Sequence, residues 1–125
     1  MTYDKNISPV GWYVCSYLLR FVELEDGFND DLEHKFTAWE NTVLIRASSI
    51  EEAFDKTVSV AQSASEPYSG GEKGVPVQWV FEGITMVLPV YEELEDGAEI
   101  IWTQFAPTKL KNLRKNVRSK ASFRQ

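Results

Sequence analysis

One histidine, His34, stands in a polar stretch with Asp30, Asp31 and Glu33 beside it. A Ser-His-Asp relay needs an imidazole held in a cleft by a carboxylate. Here the carboxylates are sequence-local and belong to an exposed loop, so the histidine reads as solvent-facing. Glu40, Glu82 and Glu99 fall in strand-like segments and could converge on one face. Paired carboxylates run acid and base steps when their environments separate their pKa values, yet each of these more simply marks the outward side of a half-buried strand. Gly70-Gly71 with Lys73 and Gly74 has some of the composition of a phosphate loop. It lacks the Gly-Lys-Ser/Thr ending and the spacing that cradles phosphate. Cys15 is the only cysteine, which excludes an internal disulfide and a thiolate-built metal site. Its place in the apolar run 12–19 predicts a buried structural thiol. These residues predict no catalytic group, no metal site and no cofactor, and the chain reads as a non-enzyme, with a small hydrolase as the remaining chemical option.

Charge is distributed more tellingly. The pentapeptide Glu23-Leu24-Glu25-Asp26-Gly27 recurs letter for letter as Glu93-Leu94-Glu95-Asp96-Gly97. Calcium needs six or more oxygens at defined spacing, and neither copy has the Asp-x-Asp-x-Asp-Gly pattern. The pentapeptides are therefore expected to be solvated acidic turns, with Glu23, Glu25, Asp26, Glu92, Glu93, Glu95 and Asp96 as candidates for docking a basic partner. Residues 1–108 hold six basic side chains against nineteen carboxylates, a sum of −13; residues 109–125 hold seven basic side chains and no acid. Lys109, Lys111, Arg114, Lys115 and Arg118 are the corresponding candidates for binding an anionic surface or nucleic acid. Trp12, Trp39, Trp79 and Trp102 have mainly apolar or acidic neighbours. They read as one core tryptophan per strand rather than as base-stacking platforms, which would be interleaved with cations.

Strands and helices must position these groups. Tyr13, Cys15, Tyr17, Leu19 and Phe21 make an unbroken apolar face at period two, which predicts a strand over 12–22. Asp26-Gly27 supplies a turn, and 29–35 reads as a mobile polar loop. A second strand is expected over 36–47. Ser48 or Ser49, each with a glutamate three residues on, opens a helix as a capping box, with Ile50, Ala53, Phe54, Thr57, Val58 and Ala61 as its apolar stripe and an end near Ser65 before Pro67. Residues 67–76 read as a flexible loop. The apolar stretch 77–90 is a strand that Gly83 should bulge or bend, and Asp96-Gly97 is expected to turn a hairpin into a strand over 98–105. In the tail, Leu110, Leu113 and Val117 stand at helical spacing. The tail is then a short amphipathic helix, docked on its own or a neighbouring acidic body, or a free basic arm.

The order β-β-α-β-β-α with short turns predicts an α+β fold. The expected architecture is a single domain with a four- to five-stranded antiparallel sheet, a core helix on one face and a C-terminal basic helix. Its acidic domain spans 1–108 and its basic tail 109–125. The chain has 125 residues, 43% of them hydrophobic, enough for one core without staples. No apolar run approaches the roughly 20 residues needed to span a bilayer, and residues 1–9 do not have the form of a secretory leader. A cytoplasmic protein is expected.

Trp12-Tyr13, Trp39-Glu40-Asn41, Val43-Leu44-Ile45-Arg46-Ala47, Ser49-Ile50-Glu51-Glu52-Ala53, Trp79-Val80-Phe81-Glu82-Gly83-Ile84, Asp96-Gly97 and Glu99-Ile100 together resemble a bacterial family of unknown function, DUF4288. The likeness runs over about residues 12–105, and the loop after Gly27 and the basic tail are particular to this chain. The shared motifs are structural, so the resemblance implies the fold and supplies no active-site residues. Small acidic families of this kind resemble immunity proteins of bacterial toxin systems. The expected function is a protein-interaction module, of the immunity type or self-associating as a homodimer, that meets a basic partner such as a toxin through its acidic surface. Binding of nucleic acid or an anionic surface through the tail is the alternative.

Overall fold

The computed structural model describes residues 4–70 and 74–125. The phosphate-loop reading rests on Gly71 and Lys73, which lie outside the described residues. Four strands form one antiparallel sheet: β1 (Trp12–Glu23), β2 (Ala38–Arg46), β3 (Tyr68–Gly70) and β4 (Val75–Pro89), in the spatial order β2-β1-β4-β3. Helix α1 (Ile50–Ser63) connects β2 to β3, and a short helix α2 (Leu110–Arg114) and a 3₁₀ turn (Lys120–Phe123) lie in the tail. The α+β class and the β-β-α-β-β-α order are those expected from the sequence.

Period-two alternation places the odd face of β1 under α1. Tyr13 and Cys15 pack with Ile45, Ala47 and Ala53, and farther along Tyr17 and Leu19 pack with Ala61. Because β1 is flanked by strands on both sides, Val14, Ser16 and Val22 of its even face are buried as well, and the Ser16 and Thr42 hydroxyls bond across the β1–β2 pair at 2.7 Å. Small residues at a spacing of four, Ala53, Thr57 and Ala61, bring α1 close to the sheet. The buried stripe is narrower than the one read from the sequence, since Phe54 is half exposed: with the sheet approached along the small residues, its ring projects sideways.

Ser49 caps α1 by accepting from the Glu52 N–H at 3.1 Å. The Glu52 carboxylate accepts from the Ser48 hydroxyl at 3.0 Å and pairs with Lys56. Those contacts, the serine hydrogen bond foremost, hold the Glu52 carboxyl below its ordinary value. A carboxylate with a lowered folded pKa adds stability above its unfolded value and loses it as the pH falls.

Burial pushes the Cys15 thiol up from the ordinary value of 9.0, partly offset by a hydrogen bond from Thr57. An acid with a raised folded pKa keeps its proton in the native state while the unfolded chain loses it. Stability therefore falls as the pH rises past about 9. Cys15→Ala is expected to flatten that alkaline fall in a series of denaturant titrations, and native Cys15 to resist alkylation until the protein unfolds.

Three differences from the sequence reading have physical causes. The segment taken as a flexible loop contains β3, because Tyr68 to Gly70 pair with Val77 to Val75. Residues 98–105 form no strand although their composition favours one, because after the Asp96-Gly97 turn they pair with none of the strands of the sheet. The tail helix does not dock: Leu110, Leu113 and Val117 are exposed, and α2 is only five residues long. Among the described residues no helix is long and apolar enough to cross a membrane.

Candidate functional site

Pairing between β1 and β4 slips twice, between Ser16 and Tyr17 and between Leu18 and Leu19. The β4 partners jump from Met86 to Ile84 and from Gly83 to Phe81, leaving Thr85 and Glu82 as extra residues. Gly83 sits between them at φ +156, a conformation in which a side chain is strained. Bulges bend a strand and re-aim its side chains. Here Glu82 is aimed at Arg20 of β1: Nε donates to the Glu82 carboxylate at 2.8 Å.

Arg20 also donates from Nη1 to the Asn29 carbonyl at 2.7 Å and lies over the Phe36 ring at 4.5 Å. Asn29 in turn donates to the Glu23 carbonyl at 2.7 Å. The segment 24–37, of which the sequence reads 29–35 as a mobile loop, is thus clasped to the sheet by one guanidinium. His34 is exposed as expected, but it stacks on Phe28 with centroids 5.2 Å apart and meets the edge of Phe36 at 4.7 Å. The open cleft beside the clasp has a volume of about 390 Å³. Its lining includes Arg20, Glu82 and His34 and holds no serine, threonine or cysteine nucleophile. The guanidinium is already engaged by a carboxylate, a carbonyl and a ring, so the arrangement positions the loop. Arg20→Ala should cost about 1–3 kcal/mol by stranding the Asn29 carbonyl and Glu82, with faster amide exchange confined to 24–37. Arg20→Lys should not restore it, because an ammonium cannot donate in two directions while stacking.

At the same end of the sheet the odd face meets the last turn of α1, where Trp79 and Phe81 pack against the cluster of Tyr17, Leu19 and Ala61. Trp79 opposes Phe21 on β1, and Trp39 opposes Leu19. The Trp39 and Trp79 rings lie 4.6 Å apart, and Trp79 meets Phe21 at 5.2 Å. Trp39 is 58% exposed. Ser65, just past α1, fixes the Trp79 backbone by donating to its carbonyl at 2.7 Å. The expectation of one core tryptophan per strand holds in part: Trp79 packs against the cluster of Tyr17, Leu19 and Ala61, Trp12 lies half-buried beneath Arg46 at 4.4 Å, and Trp39 and Trp102 are exposed. Glu23 stands on the same face as Phe21, two residues and about 7 Å farther along the strand. It leads into the turn that carries Glu25 and Asp26, where the Asp26 N–H donates to the Glu23 carbonyl and the Asp26 carboxylate accepts from the Phe28 N–H.

The second acidic group lies elsewhere. Glu23 pairs with Val77 at one end of the β1–β4 ribbon, whereas Pro89 pairs with Tyr13 at the other. Glu92, Glu93, Glu95 and Asp96 follow Pro89, so up to roughly 35 Å of strand separates the two turns. They do not converge on one surface. Glu92 accepts from the Glu99 N–H at 3.1 Å, and Gly97 turns the chain at φ +87. In the tail, Lys109 precedes α2, Lys111 and Arg114 lie within it, and Lys115 ends it. Arg118 lies over Phe123 and donates to the Ser122 carbonyl. The ion pairs among the described residues are Arg20–Glu82 and Lys56–Glu52, so none of the tail cations meets a carboxylate of the body. No group of three or more metal-ligating side chains occurs among the described residues.

Sequence reading missed the aromatic cluster. Its only signal was that Trp39 is followed by Glu40 in a strand with exposed neighbours; which strand opposes Trp39 is a matter of register.

The sequence model of a family described as a domain of unknown function, DUF4288, matches residues 12–102, from β1 into the segment beyond Gly97. No curated protein and no solved structure matches the chain.

Proposed function

The chain belongs to the DUF4288 family of unknown function, and we propose that it is a non-enzymatic module that captures a basic protein partner. The capture surface is the end of the sheet that carries Trp39, Trp79, Glu23, Glu25 and Asp26. One observation carries the reading: exposed Trp39, in ring contact with the half-buried Trp79, lies at the end of the sheet that carries an acidic turn, on a body of net charge −13. Indole faces attract lysine and arginine side chains, and aromatic anchors ringed by polar groups dominate the energy of protein interfaces. Complementary charge adds on-rate and specificity and is screened by salt. An immunity-type inhibitor of a basic toxin, working in the cytoplasm, is the form of this module that the charge favours.

The test uses a Lys/Arg-rich peptide and the intrinsic tryptophan fluorescence of the full chain. Binding that weakens as salt rises and is lost in Trp39→Ala supports the reading. Binding indifferent to Trp39, or none at low salt, counts against it.

The unpaired cations of residues 109–125 favour a second reading, the binding of nucleic acid or an anionic surface. The double substitution Lys111→Glu with Arg114→Glu should then abolish retention of generic RNA by the full chain, and retention unchanged by it dismisses this reading.

A further inference from the structure

Residues 98–105, Ala-Glu-Ile-Ile-Trp-Thr-Gln-Phe, are rich in the β-branched and aromatic types that favour strands. In the single chain they pair with nothing. Ile100, Ile101, Trp102 and Phe105 are 40–58% exposed. Singly exposed apolar side chains are ordinary, but four within six residues make a patch of the kind that marks an interaction site.

The sheet offers a matching vacancy. β2 lies at its edge with β1 on one side and no strand on the other. Natural edge strands are blunted by lysine, proline, bulges or short length. β2 runs nine residues, Ala38–Arg46, contains neither proline nor lysine, and pairs with β1 without a register shift. Leu44 is exposed along it. Such an edge is a template for one more strand, and the eight residues 98–105 have its length.

We propose that residues 98–105 of one copy add as a strand to the β2 edge of a second copy, reciprocally, to form a two-fold dimer. Within one chain the arm is directed elsewhere. Val90 is tied to Trp12 of β1 by a 2.9 Å backbone bond, so the chain leaves the sheet with β1 between it and the β2 edge. A turn then follows, with Gly97 at φ +87 and the Glu99 N–H bonded to the Glu92 carboxylate. In a second copy the β2 edge is open to it from outside. Charge agrees with this choice of occupant: the seven cations that follow the arm would be carried onto a body of net charge −13. The family match extends to residue 102, so the first part of the arm belongs to the domain shared by the family. Reciprocal exchange closes the assembly at two copies, because each arm and each β2 edge is then engaged.

The experiment is sedimentation equilibrium of the full chain over a range of concentrations, with Ile101→Pro and Thr103→Pro as variants. A proline within the arm removes a ladder donor and is excluded from paired strand interiors, and the arm contributes no strand to the monomer fold, so both variants should keep the native circular dichroism spectrum. The native chain is expected to dimerise and each variant to raise the dimer dissociation constant about tenfold or more. Amide exchange in β2 should slow with concentration in the native chain and not in the variants. A chain that stays monomeric throughout, or a dimer that survives both prolines, would overturn the proposal. Neither result depends on capture of a basic peptide at Trp39, because self-association is measured with no peptide present.

Discussion

Tyr13→Ala is expected to remove about 3–5 kcal/mol of folding stability, the range for deleting a fully buried aromatic ring. Tyr13 is inaccessible to solvent and sits at the head of the cluster that joins β1 to α1. Its hydroxyl also organises the entry to the fold. It accepts from the Ser8 N–H at 3.1 Å, while the Ser8 hydroxyl donates to the Val90 carbonyl and accepts from the Trp12 N–H. One ring thus supports the segment before β1 and the point at which the chain leaves β4. Tyr13→Phe separates the two contributions: it keeps the ring, strands a buried N–H, and should cost about 1–3 kcal/mol. Denaturant unfolding monitored by tryptophan fluorescence checks both values. Equal losses in the two variants would mean that the hydroxyl, rather than the ring, carries the cluster.

The double substitution Trp39→Ala with Glu23→Lys should weaken binding of a Lys/Arg-rich peptide by about a hundredfold, some 2.7 kcal/mol. Removing the indole deletes an anchor, and reversing Glu23 places a like charge in the path of the partner. Each single variant should lose roughly tenfold. Stability should change little, since Trp39 is more than half exposed and its main ring contact is Trp79. Calorimetric titration at low salt measures the affinities, and thermal unfolding confirms that the fold is intact. An affinity unchanged by both substitutions would move the interface away from this end of the sheet.

The parts of this fold that were legible in the sequence are those set by local rules. Alternation from Tyr13 to Phe21 locates β1 and the face it buries, and Ser48 or Ser49, each with a glutamate three residues on, brackets the start of α1, where Ser49 is the cap. Gly83 announces a bulge, though not that two occur or that the extra residue Glu82 is turned onto Arg20. Long-range pairing is what sequence pattern could not supply. Tyr68–Gly70 is a strand because of Val75–Val77, and residues 98–105 are not one because no strand pairs with them. The same limit hid the candidate site. Trp39 and Trp79 are forty residues apart in sequence, and each alone reads as core. Only the pairing of both their strands with β1 brings exposed Trp39 against half-buried Trp79 at the end of the sheet that carries Glu23.

Mapping amide and indole chemical-shift changes on the full chain during titration with a Lys/Arg-rich peptide tests the central claim most directly. Shifts concentrated at the Trp39 and Trp79 indoles and at Glu23, Glu25 and Asp26, diminishing as salt is raised, are the predicted result. Shifts confined to residues 92–96, or scattered without reference to the tryptophan pair, would contradict it.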